Sequence, residues 1–292
     1  YRFVGMGWMR WRSGGTWSAQ TYKDRVGNFR MWKGKPVSAD PKSSKLCLVS
    51  SGDIYLGRRS DPSDYDYPIA TNLLHPTVHS TQSVFAFRRL FMVDGFNYVY
   101  IASDSDDSVN AWTASPGDLP GGDGVSSADS KPRCHIIAAW SGRVVLSGLL
   151  TDPHNIFMSA IGHPFDWDYG SGGGGAIRGS DGNFGEVNEP VTSLIPYADK
   201  ALIVGCVGAT WALVGDPAYG GSLVSLSRDI GIVGPKAYAH APNNAVYVFG
   251  TGGLYRLSPN VYAITKRNRI SAGRLDKEFG DINFATHKVE LA

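Results

Sequence analysis

At 292 residues the chain has room for one large all-β domain or two ordinary ones, and its 36 glycines and 16 prolines imply many tight turns. With 42% apolar and 12% aromatic residues it can build a substantial core, which excludes a fully disordered chain. A formal charge of +2 argues neither for a nucleic-acid coat nor for an acidic, halophilic surface.

The charge is unevenly spread along the chain. Residues 1–36 carry Arg2, Arg10, Arg12, Lys23, Arg25, Arg30, Lys33 and Lys35 against Asp24 alone, while the rest has 20 basic and 25 acidic residues. Phe3, Trp8, Trp11, Trp17 and Trp32 interleave with these cations without clean alternation. The segment therefore reads as a basic, aromatic N-terminal arm or an incomplete first structural unit. Arg2, Arg10, Arg12, Lys23, Arg25 and Arg30 are its candidate contacts. They suit docking on another protein, or phosphate approached by charge and stacking, although no nucleic-acid motif accompanies them.

From residue 37 onward, a turn-rich linker (VSADPKSS) precedes a series of apolar couplets. They begin near Lys45 (KLCLVSSGDIYLG), Arg89 (RLFMVDGFNYVYI), Arg143 (RVVLSGLLTDPHNIFMS), Lys200 (KALIVGCVGATWALVG) and Asn244 (NAVYVFGTGGLYRL). Each consists of two short runs of β-branched, aliphatic and aromatic residues between Gly, Pro, Asp and Asn breakers, the pattern of half-buried strands. Matching lead-in strands precede the last three couplets: His135–Ala139 before the third, Val191–Pro196 before the fourth and Tyr238–Ala241 before the fifth. Val84–Phe87 leads into the second, and VYAITKRNRI supplies one more strand near the end. Two Gly-rich stretches, Ser115–Pro132 and Gly170–Pro190, read as exposed loops, and DPAYGGSLVSLSRDIGIVG as the connection between the fourth and fifth units.

One hairpin buries too little to fold alone, so the recurrence decides the architecture. The couplets start 44, 54, 57 and 44 residues apart, with the excess length in loops. A strand-built unit at such a period predicts an all-β chain, a β-propeller of about five recognisable blades, or six with missing or incomplete ends, over residues 37–292. Trp112 lies twelve residues after Tyr100, and Trp167 ten residues after Phe157. A large aromatic placed after two successive hairpins predicts interblade packing by Trp112 and Trp167. The chain begins at Tyr1 and stops at Ala292 as HKVELA starts to resemble a strand, so a piece of a longer protein is expected.

Candidate chemistry is sparse. Cys47, Cys134 and Cys206 lie within or beside the couplets without metal-ligand spacing, and predict buried free thiols in a reducing compartment. His75 and His79 in HPTVH are separated by Pro76 and Val78, which oppose the helix that would align them. Two acidic loops, Asp61/Asp64/Asp66 and Asp104/Asp106/Asp107, lack the sixth-position Gly and final Glu of a calcium loop, and GSDGNFGE reads as a turn. The run Gly170–Gly179 lacks the Lys-Ser/Thr of a phosphate-binding loop. No catalytic residue, metal or cofactor is assigned. No run approaches 18 apolar residues and no signal peptide is visible, so membrane insertion and secretion are not supported.

The order of the third and fourth units resembles a known family. PRCHIIAAWSGRVVLSG, DPHNIFMSAIGHPFDWD, VTSLIPYADKALIVGCVGATWALVGDP and GIVGPKAYAHAPNNAVYVFGTGGLYRLS together are similar to the propeller-bearing nozzle, tail tubular B or packaged-DNA stabilisation proteins of short-tailed double-stranded DNA bacteriophages. The resemblance covers Lys131–Ser258 and, less closely, Lys45–Trp112. It implies a non-enzymatic virion component assembled in the host cytoplasm, a homo-oligomer forming a hexameric ring. Its partners would be the portal/adaptor complex, other tail proteins and double-stranded DNA passing without sequence specificity. A WD-repeat likeness is weaker: Gly162-His163 and Trp167-Asp168 are too close together and occur once. Two rival expectations are a propeller glycan hydrolase, which needs a carboxylate-lined axial pocket, and a host-receptor-binding tail protein, which needs aromatic loops at the virion surface.

Overall fold

The computed structural model describes residues 81–102, 108–124, 131–180, 184–185, 187–197, 201–241, 245–257, 269–271, 273 and 279, together with 69–70 and the strands between residues 9 and 58. The strands are Met9–Ser13 (β1), Thr16–Gln20 (β2), Trp32–Lys33 (β3), Ser44–Ser50 (β4), Asp53–Arg58 (β5), Gln82–Ala86 (β6), Arg89–Val93 (β7), Tyr98–Ala102 (β8), Val109–Ala111 (β9) and Ile136–Trp140 (β10). They continue with Arg143–Leu149 (β11), Asp152–Met158 (β12), Ile177–Arg178 (β13), Val191–Tyr197 (β14), Ala201–Cys206 (β15), Thr210–Val214 (β16), Ser222–Ser227 (β17), Tyr238–His240 (β18), Val246–Gly250 (β19) and Gly253–Leu257 (β20).

Every pairing between these strands is antiparallel and sequential, giving the sheets β3–β5, β6–β9, β10–β13, β14–β17 and β18–β20, plus a separate hairpin β1–β2. Each predicted couplet is a hairpin of one sheet: β7–β8, β11–β12 and β15–β16 at the centre of the four-stranded sheets, β4–β5 and β19–β20 in the three-stranded ones. The first strands β6, β10 and β14 lie side by side, so successive sheets fan around a common inner edge. The protein is an all-β propeller.

Local chemistry explains the repeat. The turns Phe87–Arg88 and Ser141–Gly142 both have positive φ at each central residue, 50° and 58° in the first and 50° and 70° in the second. That two-residue turn matches the right-handed strand twist and fixes the registers Ala86↔Arg89 and Trp140↔Arg143. Phe87 and Arg88 hold this conformation without glycine, a strain the ladders on both sides must hold in place.

Apolar clusters weld the sheets in sequence. Cys47, Val49, Ile54 and Leu56 of the first sheet pack on Leu90, Met92, Val99 and Ile101 of the second. Phe91, Tyr98 and Trp112 meet Val144, Leu146 and Trp167 of the third. Val145, Ile156 and Met158 meet Leu194, Leu202 and Val204 of the fourth. Ile195 and Ile203 meet Val246, Val248 and Tyr255 of the fifth.

Three stretches differ from their sequence reading. Ile177–Arg178, within the predicted Gly-rich loop, pairs with Phe157 and Met158 as the outer strand β13. SLVSLS, read as connection, is the outer strand β17. SVNAW contains β9. Outer strands escape sequence detection because they pack on one neighbour only: β9 and β13 span three and two residues, and β17 is half serine. In addition, Trp32–Lys33, inside the segment read as an arm, pairs with β4 and belongs to the first sheet. Most of VYAITKRNRI, the pair His75/His79 and both acidic loops lie outside the described residues; Arg269 bridges to Tyr255 beside β20.

Candidate functional site

The side chains with the most specific chemistry gather where the second sheet meets the third and the third meets the fourth. Trp112 follows β9 and Trp167 lies in the loop between β12 and β13, so the two do not hold equivalent slots. They converge on a single joint instead. Both indoles are fully buried, 5.8 Å apart edge to face, and both Nε1–H groups donate to the Pro164 carbonyl, at 3.2 Å from Trp112 and 2.9 Å from Trp167. Burying two indole N–H groups is tolerable because this one oxygen offers two lone pairs. Backbone closes the same joint: Ser115 N donates to Phe165 O at 2.7 Å and Trp167 N to Pro116 O at 2.9 Å.

Arg133 fastens the other side of that joint. Its backbone N–H donates to Gly95 O, and its guanidinium donates to the carbonyls of Gly122, Asp123, Gly124 and Phe96 while lying 5.6 Å from the Tyr98 ring centre. Burial lowers the Arg133 pKa, while Tyr98, Asp94 and Asp123 oppose that shift. Tyr98 in turn donates its hydroxyl to Pro120 O and accepts from Cys134 N, both at 2.8 Å. Its pKa is raised, chiefly by burial.

Cys47, Cys134 and Cys206 are free and buried, and desolvation pushes each thiol up to about 12. A thiolate is the reactive form, so none of the three is a nucleophile near neutral pH. The native protein is therefore expected to resist Ellman's reagent at pH 8 and to release three equivalents only once denatured; rapid native reaction would contradict this burial. Because the folded values lie above the usual thiol value of 9.0, the stability they support is complete below that value and is lost as pH rises toward 12.

A second pattern places an arginine first on the central strand of two adjacent sheets. Arg89 begins β7 and its guanidinium lies 5.1 Å from the ring centre of Phe165, a third-sheet residue. Arg143 begins β11 and reaches across to the fourth sheet. Its Nε and Nη2 donate to Asp216 at 2.8 and 3.1 Å, and its Nη1 donates to the carbonyls of Ser159 and Gly175, both at 2.6 Å. Arg143 is completely buried and Asp216 nearly so. Asp216 also accepts from Ala218 N, capping the short 3-10 turn Pro217–Tyr219.

Beside the first joint lies an open cleft of about 620 Å³, between Gly117–Gly121 and the outer half of the third sheet. Asp118, Asp152, Asp168 and Arg178 contribute its charged groups, and Phe157, Trp167 and Tyr169 its aromatic ones. Asp152 accepts from Asn155 Nδ2 at 2.8 Å, Asp168 accepts from Gly170 N at 2.9 Å, and Arg178 lies 5.1 Å from the Tyr169 ring centre. Among the described residues no three His, Cys, Asp or Glu side chains converge as a metal site would require, so these carboxylates are spread along the walls.

Of the contacts expected at the N-terminus, Arg10 and Arg12 fall on β1, paired with Ala19 and Trp17, and Arg2, Lys23, Arg25 and Arg30 lie outside the described residues. Sequence reasoning missed Arg133, Arg143, Asp216 and the cleft carboxylates. One signal was present: an arginine opening an otherwise apolar run, as in RLFMV and RVVLSGL, must find a buried partner. Among the described residues no helix is long and apolar enough to cross a membrane.

No family model matches the chain, and no curated protein matches it in sequence. Among solved structures, the chain is similar to the extracellular domain of a protein assigned to a hybrid two component system of B. thetaiotaomicron, at 12% identity and a TM-score of 0.49 over 82% of this chain and 27% of that one. It is similar to Kluyveromyces lactis Hsv2 at 8% identity and a TM-score of 0.46, over 77% of this chain and 59% of that one. A third likeness is to YCF48 bound to D1 peptide, at 12% identity and a TM-score of 0.44, over 84% and 68% of the two chains. The chain thus spans about a quarter of the first of these proteins and under two thirds of the second. At such identities the likenesses concern the propeller fold alone.

Proposed function

We propose that this chain is a structural, non-enzymatic component of a short-tailed bacteriophage tail, of the nozzle type. It forms a hexameric ring that joins the portal/adaptor complex to the distal tail, retains packaged DNA and then lets it pass. The observation that carries this reading is the cross-bracing of neighbouring blades. Main-chain bonds, the Arg133 carbonyl cluster and the buried Arg143–Asp216 pair lock the second, third and fourth sheets into one body, over the stretch that carries the sequence resemblance. The two Gly-rich stretches read as exposed loops also brace the chain internally: residues 115–124 clamp the third sheet, and Gly175 accepts from Arg143. Such bracing suits a load-bearing wall, whose action is geometric rather than chemical. The 25 acidic against 20 basic residues after position 36 favour passage of DNA over capture.

Electron microscopy of the purified chain tests the reading. Closed rings with a central opening, and weak binding of duplex DNA at moderate salt, are the expected results. A chain that stays monomeric at every attainable concentration, or one that holds duplex DNA tightly and salt-sensitively through its propeller, would overturn it.

A further inference from the structure

We propose that the cleft beside Trp167 receives the basic hairpin β1–β2 of a neighbouring copy of the chain; this rests on the ring reading above. The receiving site is preformed. Its inner wall is held by the Gly117–Trp167 bridge, by Leu119 N donating to Asp123 at 3.1 Å and by Tyr98 donating to Pro120 O. Three carboxylates, Asp118, Asp152 and Asp168, face one guanidinium, Arg178, so the walls carry an acidic excess. The fixed bonds of Asp152 and Asp168 each engage one oxygen and orient the group. A cleft of about 620 Å³ takes side chains from one strand rather than a whole hairpin.

The hairpin is the complementary part. Met9–Gln20 carries Arg10 and Arg12 and no acidic residue, within a segment that holds eight cations against Asp24. Among the described residues it forms a sheet of its own and shares no ladder with the five propeller sheets. A basic, independently paired hairpin and a rigid acidic cleft on one chain form a head-to-tail pair, and repeated head-to-tail contact closes a ring when the rotation between copies divides a full turn. Carboxylate–guanidinium pairing, bidentate where geometry allows, supplies the selectivity.

Two full-length variants test this in trans. One neutralises the hairpin (Arg10→Gln with Arg12→Gln) and keeps its cleft; the other neutralises the cleft (Asp118→Asn, Asp152→Asn and Asp168→Asn) and keeps its hairpin. Each alone should self-associate about ten- to a hundredfold more weakly than the unmodified chain. Mixed, they should form a one-to-one heterodimer in sedimentation velocity that grows no further, and added salt should dissolve it. Unmodified rings that neither variant set weakens would leave the ring reading standing and sink the cleft inference, as would variants that stay monomeric when mixed. If the unmodified chain forms no ring, a labelled peptide of residues 1–36 titrated onto the hairpin-neutralised chain decides separately. Salt-sensitive binding lost in a chain that also carries the cleft substitutions upholds the cleft inference without the ring. No binding, binding that survives them, or uptake of a neutral oligosaccharide instead overturns it. Thermal melts of each variant confirm that it is folded.

Discussion

Replacing Asp216 with alanine is expected to cost about 3–5 kcal/mol of unfolding free energy, among the largest effects available to one surface-proximal residue. The reason is what remains behind. Arg143 is completely buried, and without the carboxylate its guanidinium keeps only the carbonyls of Ser159 and Gly175. Two dipoles do not compensate a desolvated charge. The same substitution removes the acceptor for Ala218 N at the 3-10 turn, which adds a smaller loss of about 1 kcal/mol. Asp216→Asn keeps that acceptor and one bond to Arg143, so it should fall between the two. The decisive comparison is Arg143→Met with Asp216→Leu together. If the damage comes from an orphaned charge rather than from lost packing, the double variant should recover most of the stability, ending within about 2 kcal/mol of the unmodified chain. Equilibrium denaturation in urea, followed by tryptophan fluorescence, reads all four proteins. An Asp216→Ala loss below about 1 kcal/mol would show that the pair is open to water and not a joint between the third and fourth sheets.

The contrast between what the sequence predicts and what the fold contains follows burial. Central strands such as RVVLSGL and ALIVGC are covered on both sides by neighbouring strands and by adjacent sheets, so their apolar runs are strong and glycine marks the turns beside them. The lead-in strands at Ile136 and Val191 were legible because their apolar residues are largely buried, and Tyr238–His240 because it directly precedes the apolar couplet it pairs with. Outer strands were not: Ile177–Arg178 and SLVSLS pair on one edge and carry serine, arginine or glycine neighbours that also suit a loop. The polar joints were less legible still. Arg143 and Asp216 are 73 residues apart, and nothing local to Asp216 distinguishes it from a solvated loop carboxylate. Asp118, Asp152 and Asp168 come from three separate segments that only the packing of Gly117 on Trp167 brings to one cleft. Trp112 and Trp167 stood out in the sequence as large aromatics after hairpins. That they would share one carbonyl was hidden, because it depends on the loop between β12 and β13 turning back toward the second sheet.

That shared carbonyl makes the joint between the second and third sheets the other point of high sensitivity. Trp167→Ala should cost about 3–5 kcal/mol, since it empties a fully buried indole site lined by Trp112, Phe157 and Leu119. Trp167→Phe keeps much of the volume, loses the Nε1 bond to Pro164 and should cost about 1–2 kcal/mol. Combining it with Trp112→Phe measures the contact itself. Edge-to-face indoles 5.8 Å apart that donate to one oxygen should couple by about 0.5–1.5 kcal/mol in a double-mutant cycle. Gly117→Ala attacks the same joint from the backbone. Gly117 has φ of +80°, and an added Cβ would stand 2.3 Å from the Trp167 carbonyl carbon, where no flexible side chain can yield. The loop must move away from Trp167, so the loss should rival that of Trp167→Ala although only one methyl group is added. The two substitutions break one structure, so their combined loss should fall well short of the sum of the separate losses. Full additivity in urea denaturation would mean that Gly117 and Trp167 act independently, and that the wall of the cleft is not braced by the indole behind it.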